Sequence, residues 1–223
     1  MATEGDSRTQ IVQAVWAVIA AEGIEGVSMR SVARAAGVSV GRIQHHFGSR
    51  ADLVRASARA MIDGAAEHQG VADPAVVSGV SSAASPAGAP AASTTGSSDG
   101  VTRRVRGAGE SARVAVAHVV PTTPQQRVGT TIWLAYLAAS VADAQLADIL
   151  ADAKRGQEDV TTQLLQAETG RSDEVCRARA RRLIALADGL ASRVLIGDLS
   201  AASALALIDE AWDDWGAGVE TSP

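Results

Sequence analysis

The stretch "SMRSVARAAGVSVGRIQHHFGSR", residues 28–50, constrains the fold more than any other part of the chain. It reads as two short helices joined by a tight turn at "AAGV". Gly37 can take the left-handed backbone conformation that a side chain disfavours. Ala33 is small enough for a second helix to pass over it. Val32, Ala36, Val38 and Ile43 are apolar, as an interhelical core requires. Ser28 precedes the first helix and Ser39 the second, and a hydroxyl at either position can cap exposed backbone N–H groups. Ser49 opens a further helix, with Asp52 three residues on as a short capping box. Together these positions make a helix-turn-helix, the arrangement whose second helix enters the DNA major groove.

The outward face of that second helix carries Val40, Gly41, Arg42, Gln44 and His45. Arg42 and Gln44 are base-reading types, since arginine pairs bidentately with guanine and glutamine with adenine. Val40 can touch a thymine methyl, and Gly41 lets the backbone approach a duplex. His45 and Arg50 suit phosphate contact, as do Ser28 and Arg30 at the start of the preceding helix. Ser39 stands at the entry to the reading helix. His46, beside Phe47, can join that surface or pack between helices.

Charge supports a local basic face. The chain is acidic overall, with 20 Lys and Arg against 25 Asp and Glu, yet residues 1–60 hold more arginines than acids. An acidic protein binds nucleic acid where its basic charge is concentrated.

The rest of the chain reads as helix. Ile11, Val15, Val18 and Ile19 form a stripe in the first helix, with Trp16 beside it and Gly23 as its stop. Residues 111–120 are helical in pattern, and Pro121 and Pro124 break the run. Three long amphipathic segments follow, from 125 to about 142, from 144 to 168 and from 172 to 197. A last helix runs from Ser200 to about Gly216. No alternation long enough to build a sheet is present. The reading is all-α: a helix-turn-helix domain over residues 1–60 and a larger helical domain over 61–223. Within the latter, residues of about 70–109 are a Ser/Ala/Gly/Pro stretch that cannot bury enough surface to offset its ordering entropy, and it reads as a flexible insertion.

Other chemistries are poorly served. His45 and His46 point about 100° apart on a helix and cannot share one metal ion. "GDS" at 5–7 follows no strand, and Cys176 has no partner histidine in view. No phosphate loop or paired-carboxylate signature suggests an enzyme, and no cofactor or metal is expected. The single cysteine fits a reducing cytoplasm. The N-terminus lacks the apolar core of a secretory leader, and no run approaches the length of a membrane span. A helical protein-interaction module would explain the C-terminal half, but not the face containing Arg42 and Gln44.

The segment "EGVSMRSVARAAGVSVGRIQHHFGSRADLV" resembles the TetR family of bacterial transcriptional regulators, with the aromatic ending of the recognition helix here as "IQHHF". "WLAYLAASVADAQLADIL" and "LADGLASRVLIGDLSAASALALIDEAW" resemble the C-terminal domain of its BetI-type subgroup. The resemblance implies a homodimer on a palindromic double-stranded DNA operator, with a small-molecule effector housed among the middle helices. His118, Trp133 and Tyr136 are the large polar-tipped side chains there. They can line that cavity, or be core with one hydrogen bond satisfied. Leu183, Leu190 and Val194 stripe one late helix, and Leu205, Ile208 and Trp212 the last. Such stripes also serve as intramolecular core; the two-fold symmetry of paired readers favours a dimer interface.

Overall fold

Hydroxyl caps start the helices where the sequence places them. In the computed structural model, which describes residues 4–68 and 112–217, Ser28 accepts from the Ser31 N–H and Ser31 returns the bond, a complete capping box. Ser39 accepts from the Arg42 N–H, and Ser49 from the Asp52 N–H at 3.1 Å. Each such cap contributes about 1 kcal/mol to its helix.

The helices are α1 (Glu4–Glu22), α2 (Met29–Ala36), α3 (Val40–His46), α4 (Arg50–His68), α5 (residues 112–117), α6 (Pro124–Ser140), α7 (Ala144–Thr169), α8 (Asp173–Leu195) and α9 (Ala201–Ala217). Among the described residues there is no strand. The low-complexity stretch of about 70–109 lies outside the described residues. The break expected at Pro121 and Pro124 falls between α5 and α6; Pro124 is the first residue of α6, where its missing N–H costs no bond, behind a Thr123–Gln126 capping box.

Two glycines set the turns. Gly37 has φ 65°, and the Val38 N–H reaches back to Ala33 O at 3.0 Å, closing α2 so that α3 can cross it. Gly26 ends a 3-10 turn, Ile24–Gly26, that the sequence reading did not anticipate. A Cβ there would lie 2.5 Å from Glu22 Cβ, so only glycine allows this turn to lie against the end of α1.

The predicted interhelical positions are buried: Val32, Ala33, Ala36 and Ile43 are 6% exposed or less, and Val38 packs at the edge of the same cluster. This core does not stop at residue 60. Ile132 and Tyr136 of α6 and Leu146 and Leu150 of α7 join Ile11, Val15, Leu53 and Val54 in one cluster. The boundary read at 60–61 falls inside α4. A second cluster packs α8 and α9 on Val116 and Val120. Cys176 is buried beside Leu165 and Ala180.

That second cluster takes up four of the six residues expected at a dimer interface. Leu183, Leu190, Val194 and Ile208 are no more than 4% exposed within a single chain. The segment from α5 to Val120 fills the groove they line, and Leu205 and Trp212 border the same cluster. Hydrophobic periodicity marks a buried face without saying which chain buries it.

Candidate nucleic-acid interface and ligand cavity

The outward edge of the helix-turn-helix is built by seating one side of α3. Ile43 is fully buried and Phe47 nearly so, which turns Gly41, Arg42, Gln44 and His45 to solvent. Arg8 of α1 lies over the Phe47 ring, 5.6 Å from its centroid. His46 is half-buried and tilts against the same ring at 6.2 Å. Val40 is half-buried, packed against the N-terminal core. Ser28, Arg30 and Ser39 are exposed. A Cβ on Gly41 would meet only Ser39 Oγ, at 3.9 Å. The protein itself places no demand for glycine there.

Arg42 is positioned by a residue that the sequence reading set aside. Its Nε donates to Ser7 Oγ at 2.7 Å, and Ser7 is buried in α1. The two terminal guanidinium nitrogens take no part in that bond. Arg50 is held by the protein as well. Expected at a phosphate, it donates from Nε to Val27 O and from Nη2 to Ile24 O, both at 2.7 Å, with Glu25 at 3.9 Å. It braces α4 against the turn before α2. The Ile24 carbonyl already accepts from the Val27 N–H at 3.2 Å, so Arg50 adds a second bond to it.

Behind this module lies a cavity of about 1590 Å³, walled by helices of both halves. His118 and Trp133 line it, as the sequence suggested. Tyr136 does not: it is fully buried in the first core cluster, where its hydroxyl meets Ser57 Oγ at 2.7 Å. Burial pushes its phenol up to about 12. Burial likewise lowers the His118 imidazole, against the raising effect of its bond to Ala115 O, so the neutral form is favoured.

The cavity also holds residues that pattern reading missed. Trp16 lines it from α1 and Met61 from α4, and the Trp16 indole N–H donates to Ser57 O at 3.2 Å. The first module therefore forms part of the wall. Lys154 and Asp188 pair at 2.7 Å at the same cavity. A signal for Lys154 was present: it is the only lysine among the 20 Lys and Arg of the chain.

Residues 11–57 match the profile of bacterial regulatory proteins of the tetR family. Residues 108–215 match the C-terminal profile of the BetI-type transcriptional repressors. The HTH-type transcriptional regulator PksA of Bacillus subtilis (strain 168) is 43% identical over 47 residues, 21% of this chain and 23% of that protein. A transcriptional regulator from Rhodococcus sp. Rha1 superposes with a TM-score of 0.70 at 20% identity, covering 97% of this chain and 99% of its own. A chain from Saccharomonospora viridis, solved in complex with choline, does so at 0.70 and 21%, covering 93% and 95%. The multidrug binding protein EbrR complexed with proflavin gives 0.52 and 24%, covering 92% and 99%. Among the described residues no helix is long and apolar enough to cross a membrane.

Proposed function

The chain belongs to the TetR family of DNA-binding transcriptional regulators, and on that premise we propose that it is a ligand-responsive repressor that binds a palindromic operator as a homodimer in the bacterial cytoplasm. The observation that carries this reading is the exposed edge of α3, where Arg42 and Gln44 project from a helix whose opposite side is locked by Ile43 and Phe47. Arg42 and Gln44 read bases, and Val40 and Gly41 let the helix approach them. Ser28, Arg30, Ser39, His45 and His46 lie along the phosphates. A small molecule in the cavity touches Trp16 and Met61, so it acts on the reading module directly. It releases the operator by preferring the state in which the two modules cannot reach successive half-sites. That two structural relatives are complexes with small organic molecules supports a ligand here.

With the predicted stripe turned inward, the two-fold contact falls to the outward side of α8 and α9, where Val175 and Leu207 are exposed. Half-sites about 34–36 Å apart, or a multiple of that, then need two linked readers.

Selection of bound sequences from random DNA tests the reading, paired with light scattering. A two-fold symmetric consensus and a mass of two chains are expected. Gln44→Ala or Arg42→Ala then costs about 1–3 kcal/mol and relaxes one base position. A wild-type protein that retains no DNA at low salt overturns the proposal.

A further inference from the structure

The Ser7 hydroxyl fixes the outer end of an arginine on the reading helix. Ser7 is 2% exposed and accepts from Arg42 Nε at 2.7 Å, a bond between residues 35 apart in sequence. Ser39 Oγ accepts from the Arg42 backbone N–H at 3.2 Å. Arg42 is thus held at its backbone and at its guanidinium, although the residue is exposed. Two more residues at the start of α1 hold the same corner. Gln10 Nε2 donates to the Ala36 carbonyl at the end of α2, at 2.9 Å. The Arg8 guanidinium lies over the ring of Phe47, the residue that caps the end of α3.

Arginine chemistry sets what this bond leaves available. The guanidinium carries five N–H donors in a planar fork. Guanine offers two neighbouring acceptors, O6 and N7. An arginine can meet them with both terminal nitrogens, or with Nε and one terminal nitrogen. The single Nε hydrogen is committed to Ser7, so only the first, end-on approach remains. Adenine keeps N7 but places a donor at N6. An end-on fork loses one bond there and sets two donors against each other. A guanidinium free to turn can instead take N7 alone or a phosphate oxygen, and neither contact singles out guanine.

We propose that Ser7 is a specificity-determining positioning residue: it holds Arg42 Nε while the two terminal nitrogens engage O6 and N7 of one guanine in each operator half-site. This rests on the reading that α3 enters the major groove of an operator. A buried hydroxyl suits the role. It carries no charge, so it competes with the base for the guanidinium far less than a carboxylate does. It sits in the wall of the module, so no second exposed side chain has to be ordered to make the bond. A guanidinium fixed before contact loses less freedom when the two bonds to the base form.

The test is the base profile at every operator position, measured by selection from random DNA with the full chain. The wild type is expected to require guanine at one position per half-site, and Arg42→Ala to lose that requirement. Ser7→Ala is expected to cut the preference for guanine over adenine there by about tenfold. The other positions, the salt dependence and the melting temperature stay as in the wild type. Ser7→Ala added to Arg42→Ala changes nothing further at that position. An unchanged profile in Ser7→Ala overturns the proposal, and so does a loss spread evenly over all positions, which marks a packing role. Tighter binding by Ser7→Ala overturns it too, because the bond is then a latch that DNA must break. A second measurement needs no Ser7 variant. The Nε–H proton resonance of Arg42, assigned by its loss in Arg42→Lys, is expected to exchange slowly with water both with and without operator DNA. Protection lost on DNA binding overturns the proposal. A symmetric wild-type consensus in which no guanine depends on Arg42 overturns this inference alone. A wild type that retains no DNA removes the operator reading with it.

Discussion

Arg55 and Asp143, 88 residues apart in sequence, form a two-point ion pair between the reading module and the second half. Arg55 donates from Nε to Oδ2 at 3.0 Å and from Nη2 to Oδ1 at 2.9 Å. The same Oδ1 accepts from the Leu146 N–H at 3.1 Å. One carboxylate thus caps α7 and fixes α4 to it. The hydrogen bonds from Arg55 are the main reason the Asp143 carboxyl is held below its usual value.

Substitutions at Asp143 separate those two roles. Asparagine remains a good cap but loses the charge, whereas alanine loses both. Asp143→Ala is therefore expected to be the less stable of the two by about 1 kcal/mol. Removing Arg55 in the Asp143→Asn background changes stability less than in the wild type. Urea midpoints of the four proteins report this directly, and equal effects of Arg55→Ala in both backgrounds contradict the coupling.

The buried pair Ser57 and Tyr136 is asymmetric. Ser57 Oγ donates to Val54 O at 2.8 Å and accepts from the Tyr136 hydroxyl. Tyr136→Phe leaves Ser57 with a partner, but Ser57→Ala leaves a buried phenol without its acceptor. The second change is expected to cost about 1–3 kcal/mol and the first about 1 kcal/mol. Thermal melts that rank them the other way rule out this assignment of donor and acceptor.

Arg50 is expected to act on stability rather than on charge neutralisation. Arg50→Met removes two bonds to backbone carbonyls and lowers the midpoint of urea unfolding. The slope of log binding constant against log salt stays at the wild-type value, because no phosphate contact is lost. A slope shallower by about one unit places the side chain on DNA instead.

His118 gives the stability curve an acidic limb. Burial lowers its folded value below the ordinary 6.5, so the unfolded chain binds the proton more readily. Its contribution is fully present above about pH 6.5 and is lost as pH falls toward the lower folded value. Lys154 adds to the lowering, while Asp188 and the Ala115 carbonyl oppose it. His118→Gln is expected to flatten this limb. Urea midpoints at several pH values between about 5 and 7.5 decide the matter, and an unchanged slope excludes His118 as its source.

Much of the reading module was legible because its constraints are local. A cap acts over three residues, and the turn between α2 and α3 over four. Ile43 faces inward because of its place in a seven-residue helix. The cavity was half legible. His118 and Trp133 stood out by size and polarity, but Tyr136 has the same character and lies outside the cavity. Nothing within a helix distinguishes a wall from a core.

The sequence by itself determined the helices, their caps and the exposed edge holding Arg42 and Gln44, since each follows from interactions within a few residues. Tertiary structure decided what pairs with what. It gave the stripe of Leu183, Leu190 and Val194 to Val116 and Val120 of the same chain. It set Arg50 on the carbonyls of Ile24 and Val27, and brought Lys154 to Trp133 and Asp188. Periodicity and charge say that a side chain needs a partner; only the packing of distant helices supplies one.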